Sequence, residues 1–235
     1  MKNNVAAPSA TPTSSEGIAK SRVFLVDDHP ITRQGLTALI NRETNLVVCG
    51  EADSAPVAID QIQKLAPDIA LVDVTLKTTS GIELMKNLKA LMPDMPVLMM
   101  SMHDESLFAE RALRAGAKGY IMKLETGTAI LAAIRRTLSG DLYLSEKMKE
   151  RMLHRLVKTG TTEVVYSIDS LSDREMEVFQ LIGNGYGTRQ IAARLNLSVK
   201  TIDSYREHLK LKLRLERGTE LVRHAIQWVK SEGIA

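Results

Sequence analysis

The sequence predicts an α/β domain, with a five-stranded parallel sheet wound on both faces by helices, followed by an all-α domain. Two observations support this. From Ser21 to about residue 140, five short apolar runs alternate with five amphipathic stretches of helical length, an order typical of a parallel sheet between helix layers. From Ile168 onward only the helical period remains.

The individual elements follow from the spacing of apolar side chains and from the Gly and Pro residues that separate them. The predicted strands are 23–26, 46–49, 69–72, 97–100 and 119–122. The predicted helices are 31–42, 55–65, 80–91, 104–115 and 126–139 in the first domain, 145–158 after it, and 172–183, 187–194, 198–213 and 217–231 in the second.

These elements divide the chain into four segments. Residues 1–20 are rich in Ala, Pro, Ser and Thr without periodicity, which predicts a disordered tail. The first domain occupies 21–140, a linker with one short polar helix occupies 141–167, and the helical domain occupies 168–235.

Composition excludes several classes of protein. The net charge of the 235-residue chain is only +3, so a nucleic-acid site has to be a local patch. Cys49 is the only cysteine, which excludes an intrachain disulfide or a cysteine-based zinc site. We therefore expect a cytoplasmic protein, with Cys49 packed in a buried strand. No stretch has the ~20 apolar residues of a membrane span, so we expect no membrane partner.

Carboxylates follow two of the predicted strands. Asp27 and Asp28 come directly after the first strand, and Asp73 ends the third. The carboxyl ends of parallel strands meet at one edge of a sheet, where three carboxylates repel one another unless a cation lies among them. Such oxygen ligands suit Mg²⁺. The alternative is that each aspartate separately caps a turn or helix.

A hydroxyl and an ammonium group fall at the same edge. Ser101 ends the fourth predicted strand and Lys123 the fifth. A carboxylate surrounded by a metal ion, a lysine and a hydroxyl is suited to phosphoryl transfer, because the carboxylate can act as nucleophile and the cations neutralise the transferring group. This combination favours a phosphoryl site over independent caps.

The first domain resembles the receiver domain of response regulators, a flavodoxin-like fold, over about residues 21–140. The strings VDDHP (26–30) and ALRAGAKGYIMK (112–123) carry the resemblance. It implies that a sensor histidine kinase phosphorylates Asp73, with Mg²⁺ as cofactor. It also implies that the acidic pair Asp27–Asp28 contributes to the metal site. The metal ligands would be Asp28, Asp73 and the backbone carbonyl of Thr75, with Asp27 acting through water. The resemblance further implies a switch hydroxyl on Ser101, a switch aromatic on Tyr120 and a phosphate contact from Lys123.

Two positions depart from the receiver pattern. Leu124 follows Lys123 where receivers usually have proline, often after a cis bond, so a trans bond here leaves the aim of Lys123 open. Residues 77–80 replace a common Met-Pro turn beside the phosphorylation site. The switch hypothesis is that Ser101 moves to donate to a phosphoryl group on Asp73, and that Tyr120 rotates into the vacated space.

The second domain has the pattern of a helix-turn-helix unit. Three glycines at 183, 185 and 187 separate its first two helices, and a compact turn leads to a third, capped by Ser198. On a helical wheel this third helix has a core stripe of Ile202, Tyr205, Leu209 and Leu213. The opposite face carries Lys200, Asp203, Ser204, Glu207 and Arg214.

Charge alone does not decide what that face does. Between Lys200 and Arg217 there are six basic residues (200, 206, 210, 212, 214 and 217) and three acidic ones (203, 207 and 216), a local net of +3. Such a patch can bind phosphates. A solvated helix face explains the same charge.

The segment as a whole is similar to the LuxR-type DNA-binding domain of the NarL/FixJ subfamily, over about residues 168–235. The strings LSDREMEV (171–178), IAARLNLSVKTID (191–203) and KLKLRLER (210–217) carry the resemblance. It implies a double-stranded DNA operator and a homodimer through the last helix when phosphorylated. It assigns Thr188 and Arg189 to the scaffold helix, contacts with the DNA backbone to Lys200 and Thr201, and base-facing positions to Asp203, Ser204 and Glu207. Arg214, on the outer face of the helical wheel, is a further predicted DNA contact.

Together the two domains predict a phosphorylation-dependent DNA-binding transcription regulator, in which the unphosphorylated receiver covers or constrains the DNA-binding helices. One alternative is a phosphorylation-independent receiver, for which Leu124 and the 77–80 loop are the support. A phosphatase with an aspartate nucleophile would need a second carboxylate at position 75, where threonine stands. We therefore expect that the protein is not an enzyme.

Overall fold

The chain forms an α/β part followed by a helical part. The computed structural model describes residues 19–76, 79–102, 105–158, 168–195 and 197–231. The α/β part comprises β1 Ser21–Val26, α1 Pro30–Asn41, β2 Leu46–Ala52, α2 Ala55–Leu65, β3 Ile69–Asp73, α3 Gly81–Leu91, β4 Val97–Ser101, α4 Glu105–Arg114, β5 Gly119–Met122 and α5 Gly127–Leu138. The helical part comprises α6 Glu146–Lys158, a 3₁₀ turn Ile168–Ser170, α7 Asp173–Gly183, α8 Thr188–Leu195, α9 Val199–Leu213 and α10 Gly218–Ser231.

The fold class predicted from the sequence is confirmed. The disordered tail (predicted for 1–20) lies outside the described residues up to residue 18, and so do linker residues 159–167 and loop residues 77–78. The four segment boundaries stay predictions.

The sheet is parallel throughout, in the order β2-β1-β3-β4-β5. Successive side chains of a strand point to opposite faces, so each face has its own core. Phe24 and Val72 pack against α2, α3 and α4, whereas Leu25 and Leu71 pack against α1 and α5. Cys49 is only half-buried, contrary to expectation, because β2 is an edge strand.

Strand order reverses between β1 and β3, which are neighbours in the sheet although α1, β2 and α2 separate them in the chain. In open α/β sheets, ligand sites form at this reversal, outside the carboxyl ends of the strands. The topology therefore places the ends of β1 and β3, with Asp27, Asp28 and Asp73, at the expected position of a site.

The loop after β3 returns close to its own start. Gly81, the first residue of α3, abuts the end of β3, and a Cβ at this position would overlap the carbonyl oxygen of Asp73. The Gly81 amide donates to the Val74 carbonyl at 2.8 Å, and Ser80 Oγ caps α3 by accepting from the Ile82 amide at 3.1 Å. The start of α3 is thus held against Asp73.

The helical part is organised around α7, which packs against α9 and α10, while α8 packs against α9. Ser172 and Glu175 form the predicted capping box at the start of α7. Ser198 caps α9, accepting from the Thr201 amide at 3.0 Å. Within the predicted core stripe of α9, Ile202, Leu209 and Leu213 are buried, and Tyr205 is half-buried.

Candidate phosphoryl-acceptor site and nucleic-acid interface

Five of the side chains singled out in the sequence lie at the carboxyl edge of the sheet. Asp27 and Asp28 follow β1, Asp73 ends β3, Ser101 ends β4 and Lys123 follows β5. All three carboxylates and the serine are buried, with Asp27 and Ser101 at 0% exposure. Burying three carboxylates together is costly without compensating cations, so the cations of this pocket decide what it can do.

Lys123 supplies one of them. Its Nζ lies 2.6 Å from Asp73 Oδ2 and 2.6 Å from Asp27 Oδ2, and its side chain is only 5% exposed. The Lys123 amide donates to the Ser101 carbonyl at 2.7 Å, which ties the end of β5 to the end of β4. The described residues contain no cis peptide bond. Leu124 therefore follows through a trans bond, and Lys123 is still aimed at Asp73.

Asp73 titrates unlike an ordinary aspartate. Burial raises its pKa to about 6, and the Asp27 carboxylate adds to the rise, while Lys123 and the Thr75 amide oppose it. The Thr75 amide donates to Asp73 Oδ1 at 3.2 Å. Asp73 has thus lost part of the electrostatic stabilisation that water gives a carboxylate, and its charged form is favoured by added positive charge.

The acidic pair has oxygens suited to a metal ion. Asp27 Oδ2 and Asp28 Oδ1 are buried and accept no hydrogen bond of ordinary geometry, although Lys123 Nζ and His29 Nδ1 lie 2.6 and 2.7 Å away. Oxygens of Asp27, Asp28 and Asp73 lie within 4.8 Å of one another and of a His29 ring nitrogen. Mg²⁺ takes oxygen ligands at 2.0–2.1 Å, so the residues present fit it.

His29 was missed in the sequence analysis. It directly follows the acidic pair in the VDDHP string, and that adjacency was the available signal.

Ser101 and Tyr120 lie in the interior. Both are at 0% exposure, and the Tyr120 ring belongs to the core that packs against α4. The Tyr120 amide donates to the Tyr143 carbonyl at 2.9 Å. The switch hypothesis has Tyr120 moving inward from an outward position, and this structure holds the inward one.

Most of the predicted DNA-contacting residues are accessible to solvent. In α8, Arg189 is exposed and Thr188 is half-buried; in α9, Lys200, Asp203, Ser204 and Glu207 are exposed and Thr201 is half-buried. Local bonds hold the first turns of α9: Thr201 Oγ1 lies 2.7 Å from Ser198 Oγ, and Ser204 Oγ donates to the Lys200 carbonyl at 3.1 Å. The receiver therefore does not cover these positions.

Arg214 differs from the others. The helical wheel placed it on the outer face of α9, but the helix ends at Leu213, and Arg214 adopts the left-handed conformation (φ 53°) as its C-cap. The wheel does not apply beyond the helix end. Arg214 is nevertheless exposed.

An interdomain clamp, not anticipated from the sequence, joins the receiver to the start of α7. The Arg111 guanidinium of α4 donates to the carbonyls of Ile168 and Leu171, at 3.1 and 2.5 Å, and to Asp173 Oδ1 at 3.1 Å. Ser80 Oγ donates to Asp173 Oδ2, and the Arg174 guanidinium donates to the Leu76 carbonyl at 2.9 Å. Leu76 and Ser80 both belong to the segment that follows Asp73.

The clamp continues toward α9 through Glu175. Lys212 Nζ lies 2.6 Å from Glu175 Oε2 and 3.3 Å from the Ser170 carbonyl oxygen, and Glu175 accepts from the Ser172 amide at 2.7 Å. Burial opposes ionisation of Glu175, but the bonds from Lys212 and Ser172 outweigh it and lower its pKa. The turn before α7 is thus held by Arg111 on one side and by α9 on the other.

Comparison with known proteins agrees with both halves. The family model described as "Response regulator receiver domain" matches residues 23–135, and that described as "Bacterial regulatory proteins, luxR family" matches residues 169–225. The oxygen regulatory protein NreC of Staphylococcus aureus is 30% identical over 210 residues, which is 88% of this chain and 97% of NreC.

Solved structures give the same result. A LuxR-family two-component response regulator from Aurantimonas aligns with a TM-score of 0.56 and 33% identity, over 60% of this chain and all of that one. RcsB of Salmonella enterica serovar Typhimurium, solved bound to a promoter with the phosphomimetic BeF3-, aligns with a TM-score of 0.55 and 25% identity, over 88% of this chain and 98% of RcsB.

Among the described helices, none is both long and apolar enough to cross a bilayer. The chain belongs to the response regulators that join a receiver domain to a LuxR-type DNA-binding domain.

Proposed function

We propose that this protein is a transcription regulator switched by phosphorylation of Asp73, with the phosphohistidine of a sensor histidine kinase as donor and double-stranded operator DNA as target. The observation that carries the proposal is the sharing of the buried Lys123 ammonium between Asp73 and Asp27, each at 2.6 Å. A lysine that bridges two buried carboxylates beside the acidic pair is placed to accept a phosphoryl oxygen when one arrives.

The chemistry follows from these positions. A carboxylate oxygen of Asp73 attacks phosphorus, the P–N bond to the kinase histidine breaks, and a P–O bond forms. Lys123 offsets the negative charge of the transferring group. Asp28, Asp73 and the Thr75 carbonyl, with Asp27 through water, would hold Mg²⁺, which would supply further charge neutralisation. Ser101, at the end of the neighbouring strand, is placed to donate to the phosphoryl group. Tyr120 is already buried here, which is the position that the switch hypothesis gives it after phosphorylation.

The interdomain clamp offers a route from Asp73 to DNA. Leu76 and Ser80 lie in the loop that starts at Asp73, and α4 follows the loop that starts at Ser101. A phosphoryl group adds a charge of about −1.5 to −2 and strong acceptor oxygens between these loops. Their rearrangement removes partners from Asp173 and Arg174, which frees the helical domain to form a homodimer on a two-half-site operator. The receiver therefore constrains the DNA-binding helices without covering them.

On the DNA side, α9 enters the major groove. Lys200 and Thr201 contact the DNA backbone, Thr188 and Arg189 open the scaffold helix α8, and Arg214 adds positive charge at the end of α9. Asp203, Ser204 and Glu207 face the bases, where carboxylates can accept from cytosine amino groups.

The test has two arms. Full-length protein is incubated with acetyl phosphate and Mg²⁺, and its acyl phosphate is quantified for wild type, Asp73→Ala and the control Asp94→Ala, an exposed aspartate. Labelling lost only in Asp73→Ala is expected. Operator binding is then compared by gel shift; equal affinity of wild type and Asp73→Ala under phosphorylating conditions would contradict the gating.

The phosphorylation-independent receiver is the second candidate, and no observation favours it, since Lys123 reaches Asp73 despite Leu124. Unlabelled wild-type protein in the assay above would support it. The chain's family consists of DNA-binding regulators, and with Thr75 in place of a second carboxylate we propose no turnover of outside substrates. The cytoplasmic location stays a prediction.

A further inference from the structure

Arg33 reaches back from the start of α1 to the loop that carries the acidic pair. Its Nη1 donates to the Asp27 carbonyl at 2.6 Å, and its Nε donates to Glu51 Oε2, on β2, at 3.3 Å. The Arg33 side chain is only 19% exposed. The phosphoryl chemistry and the metal ligands described above do not account for an arginine held at this place.

We propose that Arg33 is a positioning residue for the metal site, which fixes the peptide unit between Asp27 and Asp28 and thereby strengthens the binding of Mg²⁺ by this pocket. The inference rests on the proposed function, because the ion is the one that assists phosphorylation of Asp73. Arg33 acts through the backbone of the acidic pair and is not itself a ligand.

The carbonyl that Arg33 binds belongs to the peptide bond joining the two aspartates. A peptide unit is planar, so a hydrogen bond to its oxygen restrains the backbone dihedral angles on both sides, at Asp27 and at Asp28. The Asp27 amide, one peptide unit earlier, donates to the Ala52 carbonyl at 3.1 Å. The backbone of the pair is therefore held by β2 and by Arg33, which limits the directions that the two buried carboxylates can take.

Glu51 holds the guanidinium in turn. Its Oε2 accepts from Arg33, and its Oε1 accepts from Thr37 Oγ1, one turn further along α1, at 2.5 Å. The rigid fork of a guanidinium allows Arg33 to contact Glu51 and the Asp27 carbonyl at once, whereas a lysine ammonium is a point charge on a flexible stem. Glu51 also offsets the positive charge of Arg33, which reduces its repulsion of an incoming cation.

Two other roles of Arg33 predict different results. If Arg33 acts only as a cation beside the pocket, its removal should tighten Mg²⁺ binding, and Arg33→Lys should bind like wild type because the charge is kept. If Arg33 only ties α1 to β2, its removal should lower the free energy of unfolding and leave the Mg²⁺ affinity unchanged.

Calorimetric titration of full-length protein with MgCl₂ distinguishes the three roles. Wild type is compared with Arg33→Ala, Arg33→Lys and the control Arg42→Ala, an exposed arginine at the end of the same helix. Positioning predicts that Arg33→Ala weakens Mg²⁺ binding about tenfold or more. It also predicts weaker binding in Arg33→Lys, although the charge is kept, and wild-type binding in Arg42→Ala.

The rate of acyl-phosphate formation from acetyl phosphate, measured against Mg²⁺ concentration, gives a second readout. The half-saturating Mg²⁺ concentration should rise in Arg33→Ala by the factor found in the titration, and the rate at saturating Mg²⁺ should return toward that of wild type. A general loss of structure would lower the rate at every Mg²⁺ concentration.

Wild-type Mg²⁺ affinity in both Arg33 variants, or tighter binding in either, overturns the inference. Circular dichroism verifies folding, and if Arg33→Ala does not fold, Arg33→Lys decides alone. If the inference fails while wild type still forms the acyl phosphate on Asp73, the proposed function stands. If wild type is not labelled, the proposed function fails, and the titration with MgCl₂ still tests Arg33.

Discussion

Replacing Arg111 with alanine should raise the operator affinity of the unphosphorylated protein. Arg111 makes three of the clamp's bonds, and its side chain and that of Asp173 are each about 17% exposed. Hydrogen bonds that involve charged groups contribute ~1.5–3 kcal/mol when partly shielded from water. Because the three bonds share one guanidinium and water replaces part of them when they break, the closed arrangement should lose about 2 kcal/mol in total, less than the sum of three separate bonds. This corresponds to roughly a thirtyfold gain in apparent affinity.

Fluorescence anisotropy with a labelled operator fragment measures this gain at fixed salt, without phosphodonor. Arg114→Ala is the matched control, because this arginine lies in the same helix, is 66% exposed and pairs with Glu110. Asp173→Asn should raise affinity as well, and the double variant Arg111→Ala/Asp173→Asn should gain less than the sum of the two, since the residues share a bond. Unchanged affinity in a folded Arg111→Ala protein, or full additivity, would refute the clamp.

Four further outcomes are expected. The pKa of Asp73 lies above its usual 3.8, at about 6, so the stability that its protonated form provides is present below pH ~4 and is lost as pH rises through 6. Asp73→Asn should therefore raise the free energy of unfolding by up to ~3 kcal/mol at pH 7.5 and little at pH 4. Urea titrations in EDTA measure this at both pH values, and equal effects at the two would contradict the burial argument. Gly81→Ala forces α3 away from the Asp73 carbonyl and should abolish acyl-phosphate formation while operator binding by the helical domain persists; normal labelling would contradict the close approach. Ser172→Ala removes the capping box of α7 and should cost about 1 kcal/mol, measured by thermal unfolding, where an unchanged midpoint would speak against it. Lys200→Ala should lower the slope of log K against log salt by about 1 without changing sequence preference, whereas an altered preference in a selection from random DNA would place Lys200 on the bases.

The sheet and most of the pocket were predictable because both follow from the strands. Buried parallel strands have continuous apolar runs, and their ends identify the residues at the sheet edge. Strand limits were less accurate: β2 extends beyond Cys49 to Ala52, through residues without an apolar pattern, because its pairing with β1 continues and the Asp27 amide donates to the Ala52 carbonyl at 3.1 Å.

The clamp and the contact between His29 and the acidic pair were not predictable in the same way. Arg111 and Asp173 lie 62 residues apart, and Leu76 and Arg174 lie 98 apart. Polar side chains that meet across two domains leave no periodic signal in either one. The half-burial of Cys49 likewise depends on β2 being an edge strand, which strand order decides and local sequence does not.

The open surface of α9 has a consequence for gene control. A regulator whose reading helix stays accessible is restrained only by the free energy of its domain contacts. The bonds of Arg111 contribute about 2 kcal/mol to the closed arrangement. Releasing them can therefore raise operator occupancy above its basal level by a factor of at most a few tens. Promoters under this protein should therefore show measurable background expression, and a larger dynamic range has to come from cooperative pairing of two copies on adjacent half-sites.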